Sequence, residues 1–381
     1  MPSAVPVIQP YTHVPETKEK LDWASLTTID LSKYGTSEGN TELSETLIQA
    51  IKTKGFFYVT NFGISQDDVD QQFALGQAFY NLPLEQRLQY TADLDAGNYT
   101  GYRPAGRRRL NGGLPEKTEM WNMSTEDGQV RQPLPYPLDG YRNEIEQFSK
   151  MHPQADQIVN SLTSFIQNLH DKILDPLNHL IALALGVPED TFQNFHKWNL
   201  SDESHLRYMR YSKFTPEEVH SLKDNLWIHG HTDLGSWTLL FRQPVAGLQI
   251  RDPASNEWKW AKPLNASLTV NTGDALSYLT GGYIKSTVHR VKVPPKDQRD
   301  VDRLGLMYFS RPRNDLPLKT IESPVLQEAR AKNDFELGGH NIPTMEEFTK
   351  LKQKWNQRPG LSEDQVEGKE ILPGVIQKRL V

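Results

Sequence analysis

Apolar positions change their period along this chain. Leu43, Leu47, Ile48 and Ile51 recur at helical intervals, which predicts an amphipathic helix over 43–54 running into a strand that starts at Gly55. A longer helix is predicted over 154–185, where Ile158, Leu162, Phe165, Leu169 and Ile173 share one face. Pro176 should kink or divide it, and Gly186-Val187-Pro188 should stop it. Further on the period shortens: 236–241, 245–250 and 268–274 are apolar or alternating runs separated by Gly, Pro, Asn and Asp. They read as successive antiparallel strands, and the β-branched run 283–293 reads as another. Thr344 with Glu347 three residues on predicts a capped helix over 345–355. The Pro-interrupted, polar start, to about Trp23, reads as a surface arm.

With 381 residues the chain is long enough for a large core with helical additions. It has no Cys, which removes disulfides and thiolate metal sites and leaves imidazole and oxygen donors. A net charge of -6 argues against a broad basic footprint for nucleic acid. No apolar run is long enough to span a bilayer, and the amino terminus lacks a secretion-type pattern. The expectation is a cytoplasmic protein that acts on neither nucleic acid nor membrane, as a monomer or a homodimer.

Candidate chemistry lies among the predicted strands. His231-Thr232-Asp233 is followed by His289. On an extended strand, residues i and i+2 share a face, so His231 and Asp233 can grip one ion while Thr232 turns away. His289, on another strand, would complete a set of two imidazoles and one carboxylate, which suits iron(II) and leaves positions open for oxygen and substrate. His229 has the same strand parity as His231 but no carboxylate two residues on, and is read as a wall residue near the site or a support behind the ligands.

The ordered landmarks resemble a known family. Gly55-Phe56-Phe57-Tyr58-Val59-Thr60-Asn61-Phe62-Gly63, Phe79-Tyr80-Asn81-Leu82-Pro83, Gly247-Leu248-Gln249, Asn271-Thr272-Gly273-Asp274 and Lys285-Ser286-Thr287-Val288-His289-Arg290-Val291 are similar to the iron(II)/2-oxoglutarate-dependent oxygenases. The branch resembled includes plant flavonoid and gibberellin oxygenases, isopenicillin N synthase and fungal pyrimidine hydroxylases. The resemblance implies a mainly β fold: a double-stranded β-helix (jelly-roll, cupin-like) core with flanking helices at both ends. It implies an arm over 1–28, an α/β region over 29–150, scaffold helices over 151–200, the jelly-roll over 201–315 and a helical extension over 316–381. Implied too are Fe(II), the cosubstrate 2-oxoglutarate and O2, with oxidation of a small metabolite's C–H bond coupled to succinate formation.

The same resemblance makes Arg303 the anchor for the distal carboxylate of 2-oxoglutarate, with Tyr211 beside it. Gly305 stands where the family usually has Ser. A guanidinium fork can bond two carboxylate oxygens at once, which an ammonium does not reproduce. Tyr102 and Arg103, in the Gly- and Pro-broken segment 99–109, are expected in a lid that contacts substrate. Trp121 is read as pocket lining or core, and Phe241 and Trp237 as apolar cavity walls. Three alternatives stay open: an isopenicillin N synthase-like oxidase without 2-oxoglutarate, a zinc hydrolase and a non-catalytic barrel that only binds.

Overall fold

The computed structural model describes residues 8–93, 100–107, 109–110, 113–126, 129–131, 153–222, 225–356, 370–372 and 375–376. Strand β1 (Thr28–Asp30) precedes helix α1 (Ser37–Thr53), strand β2 (Phe56–Thr60) and helices α2 (Gln66–Asn81) and α3 (Leu84–Leu88). Strands β3 (Gly101–Arg103), β4 (Thr118–Glu126) and β5 (Gln129–Arg131) follow, then helices α4 (Pro153–Leu169), α5 (Asp175–Leu185) and α6 (Thr191–Phe195). The next stretch runs β6 (His205–Tyr211), α7 (Pro216–Ser221), β7 (Leu226–His231), β8 (Trp237–Phe241), β9 (Leu248–Arg251), β10 (Trp258–Trp260) and β11 (Ser267–Thr272). After it come α8 (Asp274–Leu279), β12 (His289–Lys292) and β13 (Arg303–Ser310), then α9 (Pro324–Glu328), α10 (Asp334–Leu337) and α11 (Met345–Asn356). A hairpin of β14 (Glu370–Leu372) and β15 (Val375–Ile376) lies beyond them.

Local chemistry sets these boundaries. α1 begins six residues before its apolar pattern because the Thr36 side chain accepts the Gly39 N–H and caps it. The helix gives way to β2 through Gly55, at φ +66°, where a Cβ would strike the Thr287 hydroxyl at 2.5 Å. That close approach holds the segment before His289 against the start of β2, and Thr287 Oγ1 donates to the Lys54 carbonyl at 2.7 Å. Pro176 does divide the long helix: a π-turn over His170–Leu174 separates α4 from α5, and the proline falls in the first residues of α5, where its missing N–H needs no partner. Gly186 closes α5 in the left-handed conformation.

Two sheets form the core. The larger has the order β1-β2-β11-β8-β13-β6-β4-β3, with β5 on β4, and the smaller is β10-β9-β12-β7. From β6 to β13 the chain crosses repeatedly between them, which makes the jelly roll. Alternation assigns the faces of the larger sheet. Leu206, Tyr208, Trp237, Leu239, Phe241, Leu268, Val270, Leu306 and Tyr308 pack outward in one core with apolar residues of α1, α2, α4 and α5. Met209, Tyr211 and Met307 face inward and meet Trp227 and Val291 of the smaller sheet. Each such side chain contributes about 1.5–3 kcal/mol on burial. Together they make the larger sheet a stiff floor beneath the site.

Candidate metal centre

β7 ends and β12 begins at the same point: His231 and His289 are direct antiparallel partners, with ring centroids 4.3 Å apart. Asp233 departs from the i, i+2 argument, because β7 stops at His231 and Asp233 lies beyond it in the turn to β8. Its carboxylate is placed by the other sheet. Thr238 Oγ1 of β8 and Asn271 Nδ2 of β11 donate to Asp233 Oδ2 at 2.7 and 2.8 Å. Oδ1 is left 3.8 Å from His231 Nε2 and 3.7 Å from His289 Nε2. The histidines are oriented the same way: Nδ1–H of His231 donates to the His229 carbonyl at 2.9 Å, and that of His289 to the Thr287 carbonyl at 3.1 Å. Both Nε2 lone pairs therefore face Asp233 Oδ1.

The three donor atoms lie within 4.8 Å of one another. Two imidazole nitrogens and one carboxylate oxygen, each on a side chain whose other polar atom is already bonded, fit a divalent iron. The His231 side chain is 39% exposed while those of His289 and Asp233 are 9%, so the cluster is open on one side. Burial by itself would raise the Asp233 carboxyl. The facing His289 and His231 in their protonated form, with the donors Asn271 and Thr238, outweigh it and hold the pKa below the ordinary carboxylate value.

His229 is outside this cluster. β7 has a register shift, since His289 pairs with His231 but Val291 pairs with Ile228. The extra residue breaks the simple alternation on which equal parity of His229 and His231 rests. Of its two expected parts His229 takes the supporting one: its carbonyl fixes the His231 ring.

Arg303 begins β13 opposite Tyr211 of β6, is 2% exposed, and has its guanidinium 4.6 Å from the Tyr211 ring centre. Its Nε approaches the Val245 carbonyl at 3.4 Å, while Nη1 is buried without a hydrogen-bond partner among the described residues. An interior guanidinium with an unspent donor suits a carboxylate. At Gly305 a Cβ would stand 3.0 Å from the Met307 terminal methyl, so that methyl fills space where a serine side chain would start.

Several expected wall residues lie elsewhere. Phe241 and Trp237 have outward parity on β8: Phe241 packs on Phe165, and Trp237 bonds Asn178 and meets Phe57, so neither lines the cavity. Trp121 and Tyr102 are likewise in the helix-side core, stacked on or edge-on to Phe79. The Tyr102 hydroxyl donates to Glu119, which also binds Arg87 and Arg210. Tyr102 is thus a structural tyrosine, not a lid contact. Arg103 is 7% exposed and bonds Glu116. Tyr99 and Arg108 of the expected lid lie outside the described residues.

Other residues take the inner wall. Cross-strand pairing runs Asn271, Thr238, Phe309, His205 and Ser124 in one row, which includes both donors that hold Asp233. The neighbouring row carries Leu240, Met307, Arg207 and Asn122. Arg207 sits 4.4 Å from the Phe309 ring centre, donates to Asn122 Oδ1 at 2.7 Å, and reaches His205 Nε2 at 3.1 Å. Burial, then Arg207 and Arg311, push His205 well below its ordinary value, so it stays neutral and accepts from Arg207. Sequence reading missed this group. Its signal was the alternation of His205, Arg207, Met209 and Tyr211 with Leu206 and Tyr208, but that pattern does not say which face meets a site.

Known proteins match in two blocks. Residues 26–143 match the family described as the N-terminal region of a non-haem dioxygenase in morphine synthesis, and residues 203–312 the 2OG-Fe(II) oxygenase superfamily. A UPF0676 protein of Schizosaccharomyces pombe is 30% identical over 80% of this chain and 86% of its own length. The 2-oxoglutarate-dependent ethylene/succinate-forming enzyme of Ralstonia nicotianae is 26% identical, covering 78% and 86%. The crystal structure of a full-length Neurospora crassa protein in complex with alpha-KG and thymine superposes with a TM-score of 0.71 at 23% identity, over 87% of this chain and 97% of that one.

Proposed function

Because the chain belongs to the iron(II)- and 2-oxoglutarate-dependent oxygenase superfamily, as a non-haem dioxygenase that uses both with O2, we propose that it oxidises an unactivated C–H bond of a small organic metabolite in specialised biosynthesis. The reaction is a hydroxylation, a desaturation or an oxidative cyclisation, and the cytoplasm is its place. One observation carries the reading: His231 Nε2, His289 Nε2 and Asp233 Oδ1 converge while every other polar atom of those side chains is bonded away. In this reading these three residues hold the iron, and Arg303 with Tyr211 receives the far carboxylate of 2-oxoglutarate. When bound, iron and 2-oxoglutarate supply with O2 an oxidant strong enough to take hydrogen from carbon, with release of succinate and carbon dioxide.

The protein's part is orientation. Thr238 and Asn271 fix which Asp233 oxygen faces the ion, and the His229 and Thr287 carbonyls fix both imidazole tautomers. Arg303 supplies a charge in a water-poor interior, where a carboxylate contact is strengthened. On the substrate side, the Arg207 guanidinium lies against the Phe309 ring, and its charge favours a substrate that brings a carbonyl or carboxylate oxygen to that wall. The domain boundaries proposed are those of the sequence reading, with the jelly-roll over 201–315.

The test is a metabolite screen on anaerobically purified, iron-loaded protein, reading oxygen consumption and succinate together. Substrate-stimulated succinate release is the expected result. Oxygen consumption without succinate would transfer the chain to the oxidase reading, and tight zinc with hydrolysis would end the oxygenase reading.

A further inference from the structure

Asp274 begins α8, and its two oxygens are shared between the two segments that carry the metal-facing residues. Oδ2 accepts from Thr232 Oγ1 at 3.2 Å, and Thr232 is the residue between His231 and Asp233. Oδ1 accepts from Ser286 Oγ at 2.7 Å, three residues before His289. The Asp274 N–H also donates to the Asp233 carbonyl at 2.7 Å. One carboxylate thus ties together the segment that follows β7 and the segment that leads into β12.

The charge opposite this carboxylate comes from far along the chain. Lys352 Nζ of α11 lies 3.7 Å from Asp274 Oδ2, with the two side chains only 13% and 11% exposed. α11 is seated beside α8 by an apolar cluster in which Met345 and Phe348 meet Ala275 and Leu279. A further contact is Gln353 Nε2 to Glu203 Oε2 at 3.3 Å, and Glu203 pairs with Arg311. Lys352 falls outside residues 203–312, so this clamp is an addition to the oxygenase core.

We propose that Lys352 and Asp274 are positioning residues for the metal centre, through which the seating of the C-terminal helix sets how tightly the His231–Asp233 turn and the His289 turn hold their ion. This rests on the reading that those three residues bind iron. Without Lys352, Asp274 is a nearly buried carboxylate lacking its countercharge, and the most direct relief is outward movement towards water. Such movement releases Thr232 and Ser286 together. Both turns then loosen.

The experiment uses full-length protein loaded with Co(II), and measures the rate of metal loss to a chelator together with the ligand-field absorption of the bound ion. Lys352→Met keeps the apolar stem and removes the charge. It should speed release by roughly ten-fold, the lower end of what loss of an outer partner costs a metal site, and broaden the absorption bands. Lys352→Arg should restore most of the wild-type rate. Lys350→Met, which removes only the exposed pair with Glu346, should leave release unchanged. Wild-type release and spectrum in both Lys352→Met and Asp274→Asn would overturn the proposal while leaving the triad reading intact. Failure of the wild-type protein to bind Co(II) would overturn both. Should Asp274→Asn not fold, the Lys352→Met and Lys352→Arg pair decides alone.

Discussion

Thr238 Oγ1 stands 2.7 Å from Asp233 Oδ2, and this bond from the larger sheet to the turn after β7 decides which carboxylate oxygen faces the histidines. With Asn271 on the same oxygen, Oδ1 has one direction left. Thr238→Val should therefore weaken metal binding without abolishing it, by roughly 10–100-fold. Asp233→Ala or His231→Ala should abolish it, along with turnover. Calorimetric titration of Fe(II) or Co(II) into apo-protein prepared with chelator checks this, and wild-type affinity in Thr238→Val would remove the orienting role.

Arg303 has a buried Nη1 with no hydrogen-bond partner among the described residues. Arg303→Gln should raise the KM for 2-oxoglutarate roughly ten- to hundred-fold, since a charge-assisted bond contributes about 1.5–3 kcal/mol. Arg303→Lys should recover little of it, because an ammonium cannot reproduce the fork. Steady-state kinetics over a 2-oxoglutarate series decides, and an unchanged KM in Arg303→Gln would move the anchor elsewhere. Gly305→Ser should be tolerated once the Met307 methyl shifts from its 3.0 Å position.

Phe241 separates core from cavity. It is 1% exposed and packs against Phe165 on the helix side. Phe241→Ala should cost about 3–5 kcal/mol of stability yet leave metal and 2-oxoglutarate affinities within error. Denaturant unfolding beside binding titrations measures both, and a change in affinity with stability preserved would return Phe241 to the cavity wall.

Arg207 should behave in the opposite manner. Arg207→Ala is expected to spare metal and 2-oxoglutarate binding while uncoupling substrate from succinate release. Comparing metal affinity with substrate-stimulated turnover tests the assignment, which fails if stimulation persists at the wild-type substrate concentration.

Buried His196 supplies a pH dependence. Burial lowers its pKa from 6.5 to about 4, and its nitrogens are bonded to the Phe192 carbonyl and the Ser236 hydroxyl. As pH falls below 6.5 the unfolded chain takes a proton that the folded state refuses. Its contribution is thus fully present above 6.5 and is lost progressively towards pH 4, at up to about 1.4 kcal/mol per pH unit. Thermal melts between about pH 4 and 7 should show a shallower acid slope in His196→Asn than in wild type. Equal slopes would exclude this group as a source.

Residue types and periods determined a good deal unaided. The helices over 43–54 and 345–355, the strands that follow 236, the division at Pro176 and the cap at Thr344 follow from local rules, and local rules are legible because neighbours in sequence supply both partners. The Thr344 N–H does bond Glu347, and the Glu347 N–H bonds Thr344. The candidate trio was legible as well, since a chain without Cys leaves only imidazole and oxygen donors for a transition metal and the family landmarks bracket the trio. Periodicity could not say which face of a strand looks inward. Phe241 and Trp237 read as cavity walls and Trp121 as lining or core, and only the pairing of β8 with β11 and β13 put the first two on the helix side, as that of β4 with β6 did for Trp121. Asp233 reads as positioned by its own strand, yet it is held by Thr238 and Asn271 across a gap in sequence. Lys352 meets Asp274 from 78 residues further along, 352 less 274, and no local pattern announces that contact. Burial, charge pairing and ligand orientation are properties of groups brought together from distant segments, so the tertiary structure alone decides them.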